Sequence, residues 1–138
     1  MGIFNEKFVI NTEGHFDVID ITKQVENCIN NHQVKDASVI VYVTGSTASI
    51  TTIEYEPGLI KDLPEILNKI APVGAKYHHD EAWHDGNGYA HLLASIVGNS
   101  VTIPLVGGIL SLGMWQQIVL VDFDNKTRTR NIIVQIIT

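Results

Sequence analysis

The chain has 138 residues, a net charge of −6 and one cysteine, and 45% of its residues are hydrophobic. This length predicts a single domain over residues 1–138 that buries its own core, the acidic balance excludes a broad nucleic-acid-binding surface, and a lone cysteine excludes an internal disulfide. The sequence shows no signal-peptide pattern at its start and no run of about 18 apolar residues that would cross a membrane. We therefore expect a cytoplasmic protein that binds neither nucleic acid nor membranes.

The first part of the sequence predicts strands interrupted by one helix. Alternating or β-branched apolar runs predict strands over residues 3–10, 15–20, 37–45 and 50–56. Asp20 or Thr22 can cap the helix that lies between the second and third strands. Cys28 falls on the apolar face of this helix, and we interpret it as a small buried residue rather than a nucleophile.

The middle of the sequence predicts helices. Residues 57–72 are interpreted as two short helices, because Pro57 can open the first and Asp62 can cap a second that carries Pro64 in its first turn. Residues 89–98 have apolar spacing suited to a further short helix, which ends at a glycine.

The last part of the sequence predicts three strands, over residues 100–108, 115–124 and 130–138. Gly107–Gly108 and Asp124–Asn125 supply turns between them, and such short connections favour antiparallel pairing. The basic segment Asn125–Arg130 is interpreted as a solvated hairpin rather than a binding patch. Strands at both ends with helices between them predict an α+β domain, with helices on one face of an antiparallel sheet.

The final apolar run indicates an oligomer. Residues 132–138 are apolar on both faces of the predicted strand. An apolar outer face of this kind is normally buried from solvent, and a subunit interface is the simplest way to bury it.

The most polar part of the chain is Tyr77–His91, which we place mostly in a loop. His79, His84 and His91 are five and seven residues apart, a spacing unlike that of zinc-protease helices, but a loop can fold such donors onto a helix start. The sequence leaves three interpretations open: a metal site, an acid/base site in which a histidine works beside a carboxylate such as Asp85, or an exposed histidine-rich loop.

Two further segments carry candidate ligand-binding residues. Ser46 and Thr47 belong to a hydroxyl-rich run after a buried strand, where hydroxyl and N–H groups can hold a phosphate or carboxylate. Glu54, in the same run, is either an exposed strand residue or a site acid. Trp115 could stack on a planar ligand or pack in the core, and Gln116 beside it offers both a donor and an acceptor.

Together these segments make the chain resemble the YjbQ family. The resemblance is carried by "GSTASITTIE", by "YHH" with "GNGYAHLLASIVGNSVTIPLVGGILSLG", and by "WQQIVLVDFDNKTRTR", and it spans nearly the whole chain. It implies a two-layer sandwich whose antiparallel sheet curves as a half barrel, a homotrimer, and a histidine-lined pocket for a metal or a small-molecule ligand. The residues that match the family's pattern are Glu54, His79, His91, Trp115 and Gln116.

The resemblance also implies a thiamine-phosphate synthase-like activity, the transfer of a pyrimidinylmethyl group, with Glu54 and His91 as catalytic residues. The alternative is a trimer that binds a metal or small ligand without that chemistry. In either case the ion would be zinc or magnesium, held by His79, His84 and His91. Family members commonly have His-Thr-Thr-Ala or His-Thr-Ser-Ala where this chain has Gly45-Ser46-Thr47-Ala48. The site must therefore recruit His84 or His78, use Glu54 or an aspartate, or bind its ion with fewer protein ligands.

Overall fold

The computed structural model describes residues 1–138, which form eight strands and four helices. In chain order these are β1 (Ile3–Thr12), β2 (Asp17–Asp20), α1 (Thr22–Asn30), β3 (Ala37–Val43), β4 (Ala48–Glu54), α2 (Pro57–Ile70), α3 (His78–Trp83), α4 (Gly88–Val97), β5 (Ser100–Val106), β6 (Ile109–Leu110), β7 (Gln116–Asp122) and β8 (Arg128–Ile137). None of the helices is both long enough and apolar enough to cross a bilayer.

The strands form two antiparallel sheets. Five strands pair in the order β1-β8-β3-β5-β6 and three in the order β2-β7-β4. The larger sheet curls into a half barrel, so the predicted α+β fold is confirmed. In it β8 lies between β1 and β3, with Ile3 opposite Ile137 on one side and Ser38 opposite Ile137 on the other.

The three-stranded sheet is apolar on both faces because it lies between two cores. Ile118 and Leu120 of β7 face the larger sheet and α1, whereas Val119, Val121 and Phe123 face α2 and α4. This is the period-two alternation of a strand. Helices α2 and α4 therefore cover one face of this sheet, and the half barrel covers the other.

Helix α1 is placed by Asp20 and carries a buried cysteine. Asp20 Oδ1 accepts hydrogen bonds from the Thr22 N–H at 3.0 Å and from the Thr22 hydroxyl at 2.7 Å. Of the two predicted caps, Asp20 thus satisfies the free N–H at the helix start. The thiol of Cys28 is buried in the core, as predicted. Burial, followed by the nearby Glu6 carboxylate, raises the pKa of this thiol, which makes it a poor nucleophile.

Residues 57–70 form one helix, so the prediction of two short helices is wrong. Pro64 lies inside α2, and Asp62 caps nothing. The proline lacks an N–H and leaves one helical hydrogen bond unmade, whereas Glu56 stabilises the helix start by accepting from the N–H groups of Gly58 and Leu59. One face of α2 also packs on the core through Ile60, Leu63 and Leu67.

The predicted loop over residues 77–91 is mostly helical, which corrects the sequence interpretation. Helix α3 and the start of α4 occupy most of it. The prediction of a strand beginning at residue 15 is also wrong at its start, because His15 and Phe16 both have positive φ and form a turn before β2.

The basic segment Asn125–Arg130 is not a hairpin. Strand β7 belongs to the three-stranded sheet and β8 to the five-stranded sheet, so the chain crosses between sheets there. Arg130 is buried rather than solvated. The predicted turn at Gly107–Gly108 is confirmed, since both residues have positive φ and join the paired strands β5 and β6.

Candidate functional site

Two aspartates at the end of β7 form a buried network with two arginines of β8. Asp122 and Asp124 have no exposed surface. Arg130 donates from Nε and Nη2 to the two oxygens of Asp122 at 2.7 and 2.9 Å, and Arg128 Nε donates to Asp124 Oδ2 at 2.9 Å. Each buried carboxylate thus has a guanidinium partner, without which its charge would be costly to bury.

Thr47 joins this network to the start of β4. Its hydroxyl donates to Asp124 Oδ2 at 2.9 Å and accepts from Arg130 Nη2 at 2.7 Å. The adjacent Ser46 is exposed and its hydroxyl makes no hydrogen bond within the protein. Of the two hydroxyl groups predicted to bind substrate, Ser46 is therefore free to contact a ligand, whereas Thr47 positions the arginine behind it.

The network keeps Asp124 ionised. Burial by itself raises the pKa of this carboxyl, but hydrogen bonds from Thr47, the Asn125 N–H, Arg128 and Asn87 outweigh burial and hold the pKa below its ordinary value. A charged Asp124 at neutral pH fixes the direction in which Arg128 lies.

Gly45 leaves room for the guanidinium of Arg130. Gly45 has a φ of +113°, and a Cβ added there would lie 2.8 Å from Arg130 Nη1. A residue with a side chain would be strained in this conformation and would displace the guanidinium. A side chain at position 45, such as the imidazole that the resemblance leads one to expect, would therefore compete for space with the Arg130 guanidinium.

His79 and His91 meet because α3 and α4 meet. Asp80 Oδ1 accepts the Gly88 N–H at 2.8 Å and so caps α4 from α3. A Cβ at Gly88 would lie 2.8 Å from Tyr77 Cβ, so only glycine allows the two helix starts to approach this closely. The rings of His79 and His91 then lie with centroids 4.3 Å apart.

Two carboxylates lie beside the His79 ring. His79 Nδ1 is 3.4 Å from Asp80 Oδ1 and 3.4 Å from Asp85 Oδ1. Ligand atoms of these three residues all fall within 4.8 Å of one another. This gathers one nitrogen and two oxygen donors around one point.

The imidazole of His91 favours its neutral form. Burial and the neighbouring His79 lower the pKa of His91, while the carboxylates of Asp85, Asp124 and Asp80 oppose them without reversing the shift. A neutral ring has a free lone pair, which can bind a metal ion or accept a proton.

These groups border one polar pocket with a volume of about 380 Å³. Arg128 and Arg130 line one side, His79 and Asp85 another, and Asn87 and His91 the start of α4. Ser46 and Thr47 line it as well, so the hydroxyl run and two of the predicted histidines share one site.

The structure does not bring His84 to this pocket. His84 ends α3 in a left-handed conformation with a φ of 57°, and its side chain is exposed. His78 is also exposed, on the solvent side of α3. The three histidines proposed as metal ligands are therefore reduced to His79 and His91, and the further donors near them are carboxylates.

Glu54, Trp115 and Gln116 lie at the other end of the three-stranded sheet. Thr47 precedes the start of β4 and Glu54 ends it, and strand geometry separates the two ends by about 20 Å. Glu54 pairs with Gln116 across the strands. Gln116 uses its amide within the protein, donating to Thr52 Oγ1 at 3.0 Å and accepting the Gly113 N–H at 2.9 Å. Trp115 is 68% exposed, which excludes the core-packing interpretation.

Four residues that line the pocket were not predicted as site residues from the sequence: Trp83, Asn87, Arg128 and Arg130. Trp83 was hidden in a segment predicted as loop. Asn87 stands at the first position before α4, where asparagine normally caps a helix. Its side chain makes no such cap, and that departure is visible only in the structure.

The sequence matches the family described as UPF0047 protein YjbQ-like over residues 6–138. A UPF0047 protein of Archaeoglobus fulgidus is 40% identical over 94% of this chain and 98% of its own length. A UPF0047 protein of Methanothermobacter thermautotrophicus is 30% identical over 94% of this chain and 90% of its own length.

Solved structures agree with these relatives. A YbjQ-like protein of unknown function from Sulfolobus solfataricus superposes with a TM-score of 0.92 at 30% identity, covering 98% of this chain and 96% of the other. A hypothetical protein from Aeropyrum pernix gives a TM-score of 0.89 at 34% identity, covering 95% and 96%. In sequence and in fold, the chain belongs to the YjbQ/UPF0047 family.

Proposed function

We propose that the pocket between α3, α4 and β8 binds a divalent metal ion together with a small anionic molecule. The observation that carries this proposal is the convergence of His79, Asp80 and Asp85, with donor atoms within 4.8 Å of one another and the His91 ring against His79. Neighbouring ligand atoms around a tetrahedral zinc ion lie about 3.3 Å apart, given bonds of about 2.0–2.1 Å. The 3.4 Å separations of His79 Nδ1 from both carboxylates fit that spacing.

The donor types favour zinc over magnesium. Imidazole nitrogen suits zinc, copper and nickel, whereas magnesium prefers oxygen ligands and bound water. His79, Asp80 and Asp85 would hold the ion. The ring of His91 lies against His79 but outside this donor set, so it would have to turn toward the ion to add a fourth donor. Zinc also binds deprotonated ligands only, a condition that the lowered pKa of His91 satisfies near neutral pH.

Isothermal titration calorimetry with zinc, on protein free of any histidine tag, tests the proposal. We expect one zinc ion per chain for the wild type and at least a tenfold weaker affinity for His79→Ala or Asp85→Asn, in line with the loss of one ligand. His78→Ala is the matched control, because this neighbouring histidine is fully exposed and its loss should change nothing. Zinc binding that is absent, or that persists unchanged in His79→Ala, would refute the metal site.

A thiamine-phosphate synthase-like transferase is the second candidate, and one observation favours it. Arg128 and Arg130 line the pocket beside Ser46, so cationic and hydroxyl groups are available to hold a pyrophosphate leaving group. A metal ion would supply further positive charge there. His91 could accept a proton. Trp83 is the aromatic residue of the pocket lining that could stack on a pyrimidine. Glu54 and Trp115 lie away from this pocket within one chain.

A direct assay with hydroxymethylpyrimidine pyrophosphate and thiazole phosphate tests this activity. We expect thiamine phosphate to form with the wild type and to disappear with His91→Ala, whereas His78→Ala keeps the activity. Failure of the folded wild type to form any product would exclude the transferase and leave the binding function standing.

We also propose that the chain assembles as a homotrimer. In support, the chain exposes large apolar side chains: Ile109 is 73% exposed, Met114 82% and Trp115 68%. Exposed apolar surface of this kind is typical of a subunit interface. Assembly would also let Glu54 and Gln116, at the same end of the sheet, approach a neighbouring subunit. Sedimentation equilibrium at micromolar concentration should give three times the chain mass of 15.2 kDa, and a monomer would contradict the trimer.

A further inference from the structure

Asn87 has a buried oxygen with no protein partner. The residue is 4% exposed, it lines the pocket, and its Oδ1 is the one buried side-chain polar atom of the chain that lacks a hydrogen bond. Leaving a buried acceptor unpaired is costly. An acceptor held in this position at a pocket wall indicates a ligand that supplies a hydrogen-bond donor.

The orientation of the Asn87 amide is set by Asp124. Asn87 Nδ2 donates to Asp124 Oδ1 at 3.4 Å. Turning the amide over would bring its oxygen against that carboxylate, two acceptors facing each other, so the network selects the orientation in which Oδ1 is free. The same network that fixes Arg128 therefore fixes the free acceptor.

Beside Asn87, three guanidinium nitrogens also lack protein partners. Arg130 uses Nε and Nη2 within the network, and Arg128 uses only Nε. Nη1 of Arg130 and both Nη atoms of Arg128 remain, and Gly45 leaves space in front of Arg130 Nη1. Planar guanidinium groups bind phosphate oxygens through paired N–H donors, and the Ser46 hydroxyl lies at the same side of the pocket.

The charges of the pocket fit a bound metal ion and a bound anion together. Arg128 and Arg130 are balanced by Asp124 and Asp122, whereas Asp80 and Asp85 have only His79 beside them. A divalent ion at these two carboxylates would remove the excess negative charge. The free guanidinium N–H groups would then face an anion without repulsion from Asp85.

We propose that the anion is a phosphate monoester with a hydroxyl group on the carbon chain near the ester, and that Asn87 is the residue that selects the hydroxyl. The proposal rests on the ligand-binding function proposed above and names its ligand class. Arg128, Arg130 and Ser46 bind the phosphate oxygens, and Asn87 Oδ1 accepts the hydrogen of the hydroxyl. A phosphate monoester without the hydroxyl leaves Asn87 unpaired.

Two probes that differ only in their hydroxyl groups test this selection, glycerol 3-phosphate and n-propyl phosphate. Calorimetry of each with the wild type, with and without one equivalent of zinc, should show about tenfold tighter binding of glycerol 3-phosphate, as expected for one buried hydrogen bond. Inorganic phosphate should bind no tighter than n-propyl phosphate. Equal affinities for the two esters, or no binding of either in both conditions, would overturn the proposal.

Variants separate selection from phosphate binding. Asn87→Ala should lower the affinity for glycerol 3-phosphate to that for n-propyl phosphate, and Arg128→Gln should weaken both esters while keeping their ratio. Asn99→Ala, which alters an exposed asparagine, is the control and should leave both affinities unchanged. The comparison of probes on the wild type decides the matter even if Asn87→Ala fails to fold.

The same titrations distinguish this inference from the metal site. If zinc binds while the two esters bind equally, the inference about Asn87 fails and the metal site stands. If the esters are distinguished while zinc does not bind, the metal site fails and the selection by Asn87 stands.

Discussion

Arg130 is the residue on which both the fold and the pocket depend. It supplies the opposite charge for Asp122, which is fully buried, it bonds Thr47 at the start of β4, and it presents one free nitrogen to the pocket. The basic run at residues 125–130 indicates positive charge in the sequence, but its alternating arginines do not show that one of them is buried. The burial of Arg130 follows only from the passage of the chain from the three-stranded sheet to the five-stranded sheet.

Replacing Arg130 by methionine should destabilise the protein by about 3–5 kcal/mol, because a buried carboxylate would lose its partner. Arg128→Met is the comparison. Its side chain is 38% exposed, and Asp124 would keep the hydrogen bonds from Thr47 and the Asn125 N–H, so the loss should be clearly smaller than for Arg130. Urea denaturation of the three proteins measures both changes, and similar stabilities for the two variants would contradict the buried role of Arg130.

The lowered pKa of Asp124 predicts how the free energy of unfolding changes in acid. Its pKa is lower in the folded chain than in the unfolded chain, so its stabilising contribution is complete above the unfolded value of about 3.9 and is lost as pH falls toward the lower folded value. Asp124→Asn should therefore be less stable than the wild type at pH 7, and the difference should shrink below about pH 4. Urea midpoints measured from pH 7 to pH 3 check this, and a constant difference would argue against it.

The contact between helices α3 and α4 brings the rings of His79 and His91 together. A short helix, a left-handed turn at His84 and a glycine at the start of α4 place His79 against His91. Of the three histidines singled out in the sequence, the structure brings His79 and His91 to one pocket. His84 stays in solvent, because spacing along the chain does not reveal that α3 ends in a left-handed turn at this residue.

Gly88→Ala tests whether the approach of the two helices creates the site. The added Cβ would stand 2.8 Å from Tyr77 Cβ, so α4 must shift away from α3, and we expect zinc affinity to fall at least tenfold as donors separate. Gly113→Ala is the matched control, since a Cβ there meets only Gln116 atoms at 3.6 Å or more. Zinc affinity equal to the wild type in Gly88→Ala would mean that the helix contact is not needed.

Most strands and the α+β class of the whole molecule could be predicted from apolar patterns. Which strands pair with each other could not. Residues 116–122 and 128–137 read as neighbouring strands with a short connection, yet they belong to different sheets. The reason is that β7 is apolar on both faces and must lie between two cores, a requirement that local sequence does not express. The same crossing brings Arg128 and Arg130 to the pocket, which is why the arginine side of the pocket could not be predicted from the sequence.

The proposed function depends most on a metal ion lying between α3 and the start of α4. Crystals grown with zinc and measured on both sides of the zinc absorption edge test this most directly. We expect one anomalous peak per chain at about 2.0–2.2 Å from the His79 nitrogen and a carboxylate oxygen of Asp80 or Asp85. A peak located only at His78, His84 or another surface histidine, or no peak at all, would contradict it.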